Sequence, residues 1–497
     1  MVDILRTAAS SVGAFQRALA TTGHNIANAN TPGFSRQRAG LVAAPPQTLA
    51  PGLFIGTGVR VGGIERVFDA FLTQQVRSHS ASFQQLDTVQ GLIDQVAALV
   101  GDAANGPTRS LEAFFAAVGD LADDPASVPA RQVVLARGES LAARVQDLDR
   151  RLADIGDGVN RQLRDTVNEI NGLTGAIAAA NADIALAAGG PDGSPNDLLD
   201  HRDRLLADLA RRVAIQTVTD SDGNVSVFVG NGQALVVGHD ASRLALDRSP
   251  FDPQAAALRL DSQRPGSDLS ATLSGGRLGG LLAFRDEVLD PARNALGLLA
   301  VGLADTFNAR HRQGIDLNGN AGQDFFAAGP PRTFSHADNA GTATVTAAIA
   351  DAGRLTRADY QLTATAGGFL LRRLDNGAET TLSGSGPFTV DGLTLTVSGA
   401  AAGGDRFLIQ PTRNGAAGFA LLAAGTEAIA AAAPIRTGES PGNQGSGQIS
   451  PGAVVDASDP NLRRAVDIVF TDSATFDVVD VASGAVLAAG QAYSSGA

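Results

Sequence analysis

The chain has 497 residues, 44% of them apolar but only 5% aromatic and none Trp, so it has room for roughly three domains with Ala- and Leu-rich cores. Its net charge is −13 and all 38 basic residues are Arg, which argues against a nucleic-acid-binding surface and, with Lys absent, against a Walker phosphate loop or Schiff-base chemistry. Cysteine is absent too, which excludes disulfides, thiolate metal sites and Cys nucleophiles while leaving the compartment open.

Asp3 and Arg6 stand among small apolar residues without the charged-then-apolar layout of a secretory signal, so no cleaved signal is expected. Ile4, Ala8, Val12, Phe15 and Leu19 recur every three or four positions and predict an amphipathic helix starting almost at Met1. Such a stripe needs a partner. The helix runs into Asn28-Ala29-Asn30-Thr31-Pro32-Gly33, where Pro32 removes a backbone donor and pushes Thr31 out of the helical region, and Gly33 can take a positive φ. Asn28, Asn30, Thr31, Pro32 and Gly33 therefore set a sharp turn and the exit angle of the chain.

Residues 39 to 63, with three prolines and six glycines, read as an irregular or short-stranded connector. GTGVRVGG at 56 to 63 lacks the third glycine of a dinucleotide loop. Phe68, Phe71, Leu72, Val76, Phe83, Leu86, Ile93 and Val96 keep a near-heptad rhythm interrupted by His79 and Gln90, which predicts a helix that packs on neighbours and not a symmetric dimer seam. From Leu141 to Ile184 apolar residues recur at three and four, a rod of roughly 65 Å at about 1.5 Å per residue. The 191 to 213 stretch predicts a loop and then a charged helix. Its Asp197, Asp200, His201 and Asp203 read as a solvated face with intrahelical Asp–Arg pairs, since metal-ligand spacing is missing. At 214 to 280 the period becomes two, with short hairpin strands; helical rhythm returns at 283 to 312 through Leu289, Leu296, Leu299, Leu303 and Phe307, making the strands an excursion from a helical bundle.

IDLNGNAGQDFF at 315 to 326 opens like a calcium loop, but Ala321 and Ala327 stand where glycine and an acid are required, so an Asx-rich turn is the better account. Beyond 335, alternating strands separated by Asp375-Asn376-Gly377 and Asp391-Gly392 predict a β-sandwich or barrel-like module. An Ala-rich helix is expected at 417 to 434. Carrying Glu427, it is too weakly apolar for a membrane span. The Gly/Ser/Pro tract that follows contains Gly438-Glu439-Ser440-Pro441-Gly442, a GxSxG without the strand and helix of a nucleophile elbow. The expected fold is α+β and multidomain: an elongated N-terminal α-helical bundle or coiled-coil rod with inserted β-hairpins, then a β-rich sandwich- or barrel-like outer domain. Its divisions are 1–38, 39–330, 331–434 and 435–497. No catalytic residue, cofactor or metal is expected.

The run ALATTGHNIANANTPGFSRQR resembles the N-terminal signature of bacterial flagellar axial proteins. ARQVVLARGESLAARV, NDLLDHRDRLLADLA, GGRLGGLLAFRDEVLDPARNALGLLAVGLADTFNARHRQGIDLNGNAGQDFF and AAGGDRFLIQP resemble, in that order, the hook-associated protein FlgK family. The resemblance implies a ring-forming structural subunit at the junction of hook and filament, with terminal helices lining the tube and β modules facing outward. It implies export unfolded through the flagellar type III pathway. The partners would be further copies of itself, the hook protein, the second junction protein, the export apparatus and a chaperone docking at the C-terminus, with no nucleic acid and no membrane insertion. Family members close the bundle with C-terminal helices; this chain ends at Gln491-Ala492-Tyr493-Ser494-Ser495-Gly496-Ala497 in a β segment, and is expected to be a fragment or a chain with an incomplete coaxial core. Under this reading Ile4, Leu5, Val12, Phe15 and Leu19 pack between subunits, and the first helix is mobile in the monomer and ordered on assembly. The alternatives are a hook or distal-rod protein, a glycan-binding surface protein, or a secreted glycan hydrolase. The last requires carboxylates facing across a cleft, which adjacent pairs such as Asp123/Asp124 and Asp286/Glu287 do not provide.

Overall fold

The computed structural model of the protein describes residues 4–101, 107–188, 195–252, 255–263, 268–445, 449–450, 452–456 and 459–494, so the loop expected at 191–194 and the extreme end at 495–497 lie outside it. The chain opens with helix α1 (Ile4–Ala27), followed by strands β1 (Gln37–Ala43), β2 (Gln47–Ala50), β3 (Leu53–Ile55) and β4 (Val59–Arg66). β1 pairs antiparallel with β4 and β2 with β3, a two-tier hairpin whose second arm takes up most of the GTGVRVGG run.

Four helices build the rod: α2 (Ala70–Val100), α3 (Pro107–Asp123), α4 (Val128–Ala188) and α5 (Asn196–Ala210). Asp69 caps α2 by accepting the Leu72 N–H. With 61 residues, α4 is about 90 Å long at about 1.5 Å per residue. It begins thirteen residues before the predicted stripe because Gly138, a local breaker on paper, serves close packing: a Cβ there would lie 3.4 Å from the Phe325 ring. Leu141, Val145, Leu148, Leu152, Val159, Leu163, Val167, Ile170, Ile177 and Ile184 are all buried. Among the described helices only α4 is long and apolar enough to cross a membrane by length and composition, and 39% of its qualifying apolar window is buried inside the protein.

Strands β5 (Gln216–Thr219), β6 (Val225–Val229), β7 (Gln233–Val237) and β8 (Asp240–Ala241) form a meander, and β9 (Leu244–Arg248) and β10 (Ala256–Leu260) a hairpin. They do not leave the bundle as an excursion. Val227, Leu235, Val236 and Leu258 share one core with Leu163 and Ile170 of α4 and Leu209 of α5. The chain returns through α6 (Gly276–Phe284), a π turn at Arg285–Leu289 and α7 (Asp290–His311). The π turn comes just before Pro291, which has no N–H to continue an α ladder.

The outer module comprises β11 (Phe326–Ala327), β12 (Arg332–Ser335), β13 (Thr344–Ile349), β14 (Tyr360–Thr365), β15 (Gly368–Arg373), β16 (Glu379–Ser383), β17 (Phe388–Val390), β18 (Leu393–Ser398), β19 (Arg406–Gln410) and β20 (Ala420–Leu421). The orders β12-β19-β14-β15-β16 and β13-β18-β17 make two antiparallel sheets that enclose Val345, Tyr360, Leu362, Leu371, Leu395, Phe407 and Ile409. Asp391 and Gly392, with φ of 48° and 80°, make the tight turn expected between β17 and β18. Asp316 accepts the Asn318 and Asn320 N–H groups at 2.8 and 2.7 Å, the Asx-rich turn.

The Ala-rich helix expected at 417 to 434 is not formed. β20 pairs with β11, Thr426–Ala428 is a single 3-10 turn, and Ile315 bridges Ala432. Alanine supplies propensity but no long side chain to anchor a helix, whereas Phe419 and Ile429 bury themselves among Phe114, Val134 and Phe326 only when the segment is extended. Last come β21 (Val466–Phe470), β22 (Thr475–Asp480) and β23 (Val486–Ala492), a three-stranded antiparallel sheet.

Candidate assembly surface

α1 is amphipathic in an inverted sense. The face turned to its own hairpin is small and polar: Ala14 and Thr21 are buried, and Thr7 and Ser10 lie against Gly58, where a Cβ would come within 2.5 Å of Ser10 Oγ. Asn25 ties the helix to the start of β1, accepting the Gln37 N–H and donating to the Gln37 carbonyl, each at 2.8 Å. The opposite face is large and apolar, yet Ile4, Leu5, Val12, Phe15 and Leu19 are 78%, 80%, 57%, 61% and 73% exposed, and Ile26 continues the row. The helix thus has a seat within the chain on its small face, while the stripe expected to need a partner stays open. What is uncovered is the face.

The turn is built as its residues require and is then docked. Thr31 N–H donates to the Asn28 carbonyl at 2.9 Å and Thr31 Oγ to Asn28 Oδ1 at 3.2 Å, while Asn30 is exposed. Gly33 has φ +75°, and a Cβ there would overlap the Arg204 side chain, whose guanidinium reaches the Pro32 carbonyl at 3.4 Å. Two residues on, the Ser35 N–H donates to Asp200 at 2.9 Å. Asp200 also accepts from Arg66 at 2.8 Å, Arg66 reaches Asp203 at 2.7 Å, and Arg77 reaches Asp203 at 3.0 Å. Asn196 donates to the Ile64 carbonyl at 2.8 Å. Burial pulls the Arg77 guanidinium below its ordinary range against the opposing pull of Asp203, and burial does the same to Arg202, which donates to Asn181 and the Gly223 carbonyl.

This corrects the reading of α5 as a solvated face. Asp200 and Asp203 pair with residues from β4 and α2, not with arginines one turn away, and together they bolt the turn and hairpin to the rod. Sequence reasoning missed Arg66, Arg77, Asp200 and Asp203 in this role because the partners lie 126 to 165 residues apart. Asn25 did leave a signal, since Ala14, Thr21 and Asn28 repeat every seven residues on the small face and Asn25 falls one turn before Asn28.

A second apolar row lies on α2, where Phe71, Leu72, Val76, Phe83 and Leu86 are exposed while Ala81, Leu92 and Val96 are buried. Only the far end of that predicted stripe is covered within the chain. Phe68 lies under the Arg66 guanidinium, 4.7 Å from its centroid. The described residues contain no group of three or more His, Asp or Glu placed to hold a metal.

Residues 93–326 match the flagellar hook-associated protein FlgK helical domain, 334–411 the D2-like domain of flagellar hook-associated protein 1, and 5–34 the flagella basal body rod protein family. Flagellar hook-associated protein 1 of Salmonella typhimurium is 34% identical over 420 residues, covering 83% of this chain and 76% of that one. Its Escherichia coli K12 counterpart is 30% identical over 450 residues, covering 90% and 82%. The structure of the flagellar hook junction protein FlgK from Burkholderia pseudomallei superposes with a TM-score of 0.75 at 32% identity, covering 85% of this chain and 79% of that one. With family matches in its first helix, its rod and its β-sandwich, the chain belongs to the flagellar hook-associated protein FlgK family.

Proposed function

We propose that the chain is a structural subunit of the junction between hook and filament in the bacterial flagellum, and that neighbouring subunits close on the apolar face of α1. The observation that carries the reading is the inversion of that helix: six large apolar side chains face solvent while alanine, threonine and asparagine face the chain's own hairpin. A contiguous exposed apolar face of this kind marks a surface built to meet another molecule. Ile4, Leu5, Val12, Phe15 and Leu19 are the packing residues; Asn28, Asn30, Thr31, Pro32 and Gly33, held on α5, aim the helix. The partners are further copies of the chain, the hook protein and the second junction protein, reached after unfolded export through the flagellar pathway with its apparatus and chaperone. The subunit is extracellular and does no chemistry. A cavity of about 280 Å³ beside the rod is lined by Arg77, Ile215 and Phe228 among others, and its lining holds no acid or histidine to act as a general base. Replacing Phe15 and Leu19 together by Asp is the test. The isolated chain should keep its stability within about 0.5 kcal/mol, as for exposed sites, while cells lose filament attachment and motility; intact filaments would refute the assignment.

A further inference from the structure

α7 ends at His311, which is buried although Arg310 and Arg312 beside it are exposed. Its Nδ1 lies 2.5 Å from the Gln323 carbonyl and its Nε2 2.8 Å from the Ala430 nitrogen. A carbonyl only accepts and a backbone N–H only donates. The ring is therefore neutral, with its proton on Nδ1 and its Nε2 lone pair committed to Ala430. Phe307 stacks on the imidazole and Phe325 meets it edge-on, at centroid distances of 6.2 and 5.4 Å.

The segment so held is gripped from two sides. On the α7 side Leu317 donates to the Glu427 carbonyl at 3.2 Å and Ile315 to that of Ala432 at 2.8 Å. Ala430 is wedged against Gly314 and Gly322, where a Cβ would come within 2.6 Å of its carbonyl oxygen and of its own Cβ respectively. On the α4 side the buried Arg131 donates from Nη1 to the Thr426 and Ile429 carbonyls at 2.9 and 2.6 Å, while its Nε and Nη2 each donate to the Pro125 carbonyl. Two rod helices thereby fix where the chain leaves the sandwich and passes on beyond Pro434.

We propose that His311 is an acid-sensitive clasp: while neutral it fastens residues 426–432 to the rod, and protonation of Nε2 sets donor against donor at Ala430 and releases them. The charges around the ring do not offer an alternative acceptor. Asp324 is engaged by Arg312 at 2.6 Å, Asp316 is spent on its own turn, Arg310 bonds Gln313, Glu427 is exposed, and Arg131 brings a positive charge to the neighbouring Ile429 carbonyl. Burial holds the imidazole below its ordinary pKa, with the Gln323 carbonyl and Asp324 opposing. For a folded pKa that is depressed, the clasp contributes in full above the free-histidine value of about 6.5 and is lost as pH falls from there toward the folded value.

Hydrogen exchange on the full chain between pH 7.5 and 5, corrected for intrinsic exchange, tests this without any substitution. Protection of residues 425–433 should fall as pH drops below about 6.5, with a slope of at most about tenfold per pH unit, the response of an opening that takes up one proton, while the middle of α4 stays protected. His311→Gln, which does not titrate, should show lower protection there and no such slope. Flat protection in the wild type, or an unchanged slope in H311Q, would overturn the proposal.

Discussion

Asp200→Ala removes the acceptor that joins the turn, the hairpin and the rod. In the folded chain this carboxylate is 4% exposed, takes the Ser35 N–H at 2.9 Å and one arm of Arg66 at 2.8 Å. The substitution leaves Ser35 with an unpaired N–H and Arg66 with Asp203 alone, at 2.7 Å. Orphaning one partner of a buried pair costs about 3–5 kcal/mol. Because Arg66 keeps its second carboxylate, the lower end applies, about 3 kcal/mol or about a hundredfold in the docking equilibrium. The loss should be local, since Ser35 and Arg66 are not among the residues that form the core shared by Leu163, Val167 and Ile170 of α4 with Leu206 and Leu209 of α5. Hydrogen exchange would show it as faster opening of residues 34–38 and 64–67 with residues 159–177 unchanged. Asp200→Asn, which retains an acceptor, should lose less, and Arg66→Met combined with Asp200→Ala should cost less than the two separately. A change below threefold at the hairpin, or equal loosening of α4, would refute the idea that this carboxylate is the bolt.

Tyr360 is buried between the sheets and donates to Asp391 at 2.8 Å; burial is the main force pushing its phenol up to about 12. A raised folded pKa means that its contribution is complete below the free-tyrosine value of about 10 and is lost as pH rises through about 12, roughly 2.7 kcal/mol in all. Thermal melts of the sandwich between pH 9 and 12 should follow that course, and Tyr360→Phe should flatten it; an unchanged alkaline slope would argue against this assignment. Arg413 uses three arms at the joint between α7 and the sandwich, donating to Asn294 at 2.6 Å and to Asp290 and Asp359 at 2.8 Å each. Arg413→Met should cost about 3–5 kcal/mol at neutral pH by leaving Asp359 buried without its cation. Burial already raises the Asp359 pKa, so the defect should shrink in acid as that carboxyl takes a proton; a melting deficit independent of pH would contradict this.

The rod and the sandwich were legible because their signals are local. Spacings of three and four from Leu141 to Ile184 trace one buried stripe of α4, and Asp391-Gly392 needs only its own backbone to turn a hairpin. The sequence misled where long-range contacts overrule local preference. Alanines at 417–434 favour a helix, yet Phe419, Ile429 and the Arg131 and His311 contacts hold the segment extended. The charged pattern of α5 is compatible with a wet surface, and nothing within one helical turn reveals that Arg66 and Arg77 come to bury Asp200 and Asp203. In α1 the apolar stripe could be read at once. The small residues of its other face, Ala14, Thr21, Asn25 and Asn28, were legible as a row, but that the row seats on the hairpin through the Asn25–Gln37 pair was not.

The most direct test of the account exploits the absence of cysteine, because Phe15→Cys would introduce the chain's single thiol. In the purified monomer, where Phe15 is 61% exposed, that thiol should react with maleimide as freely as one placed at the exposed Leu374 of the sandwich. In flagella isolated from cells carrying the variant chains, the account predicts that the thiol at 15 is shielded while the one at 374 still reacts. Equal labelling at position 15 in monomer and flagellum would contradict the claim that the apolar face of α1 is where subunits meet.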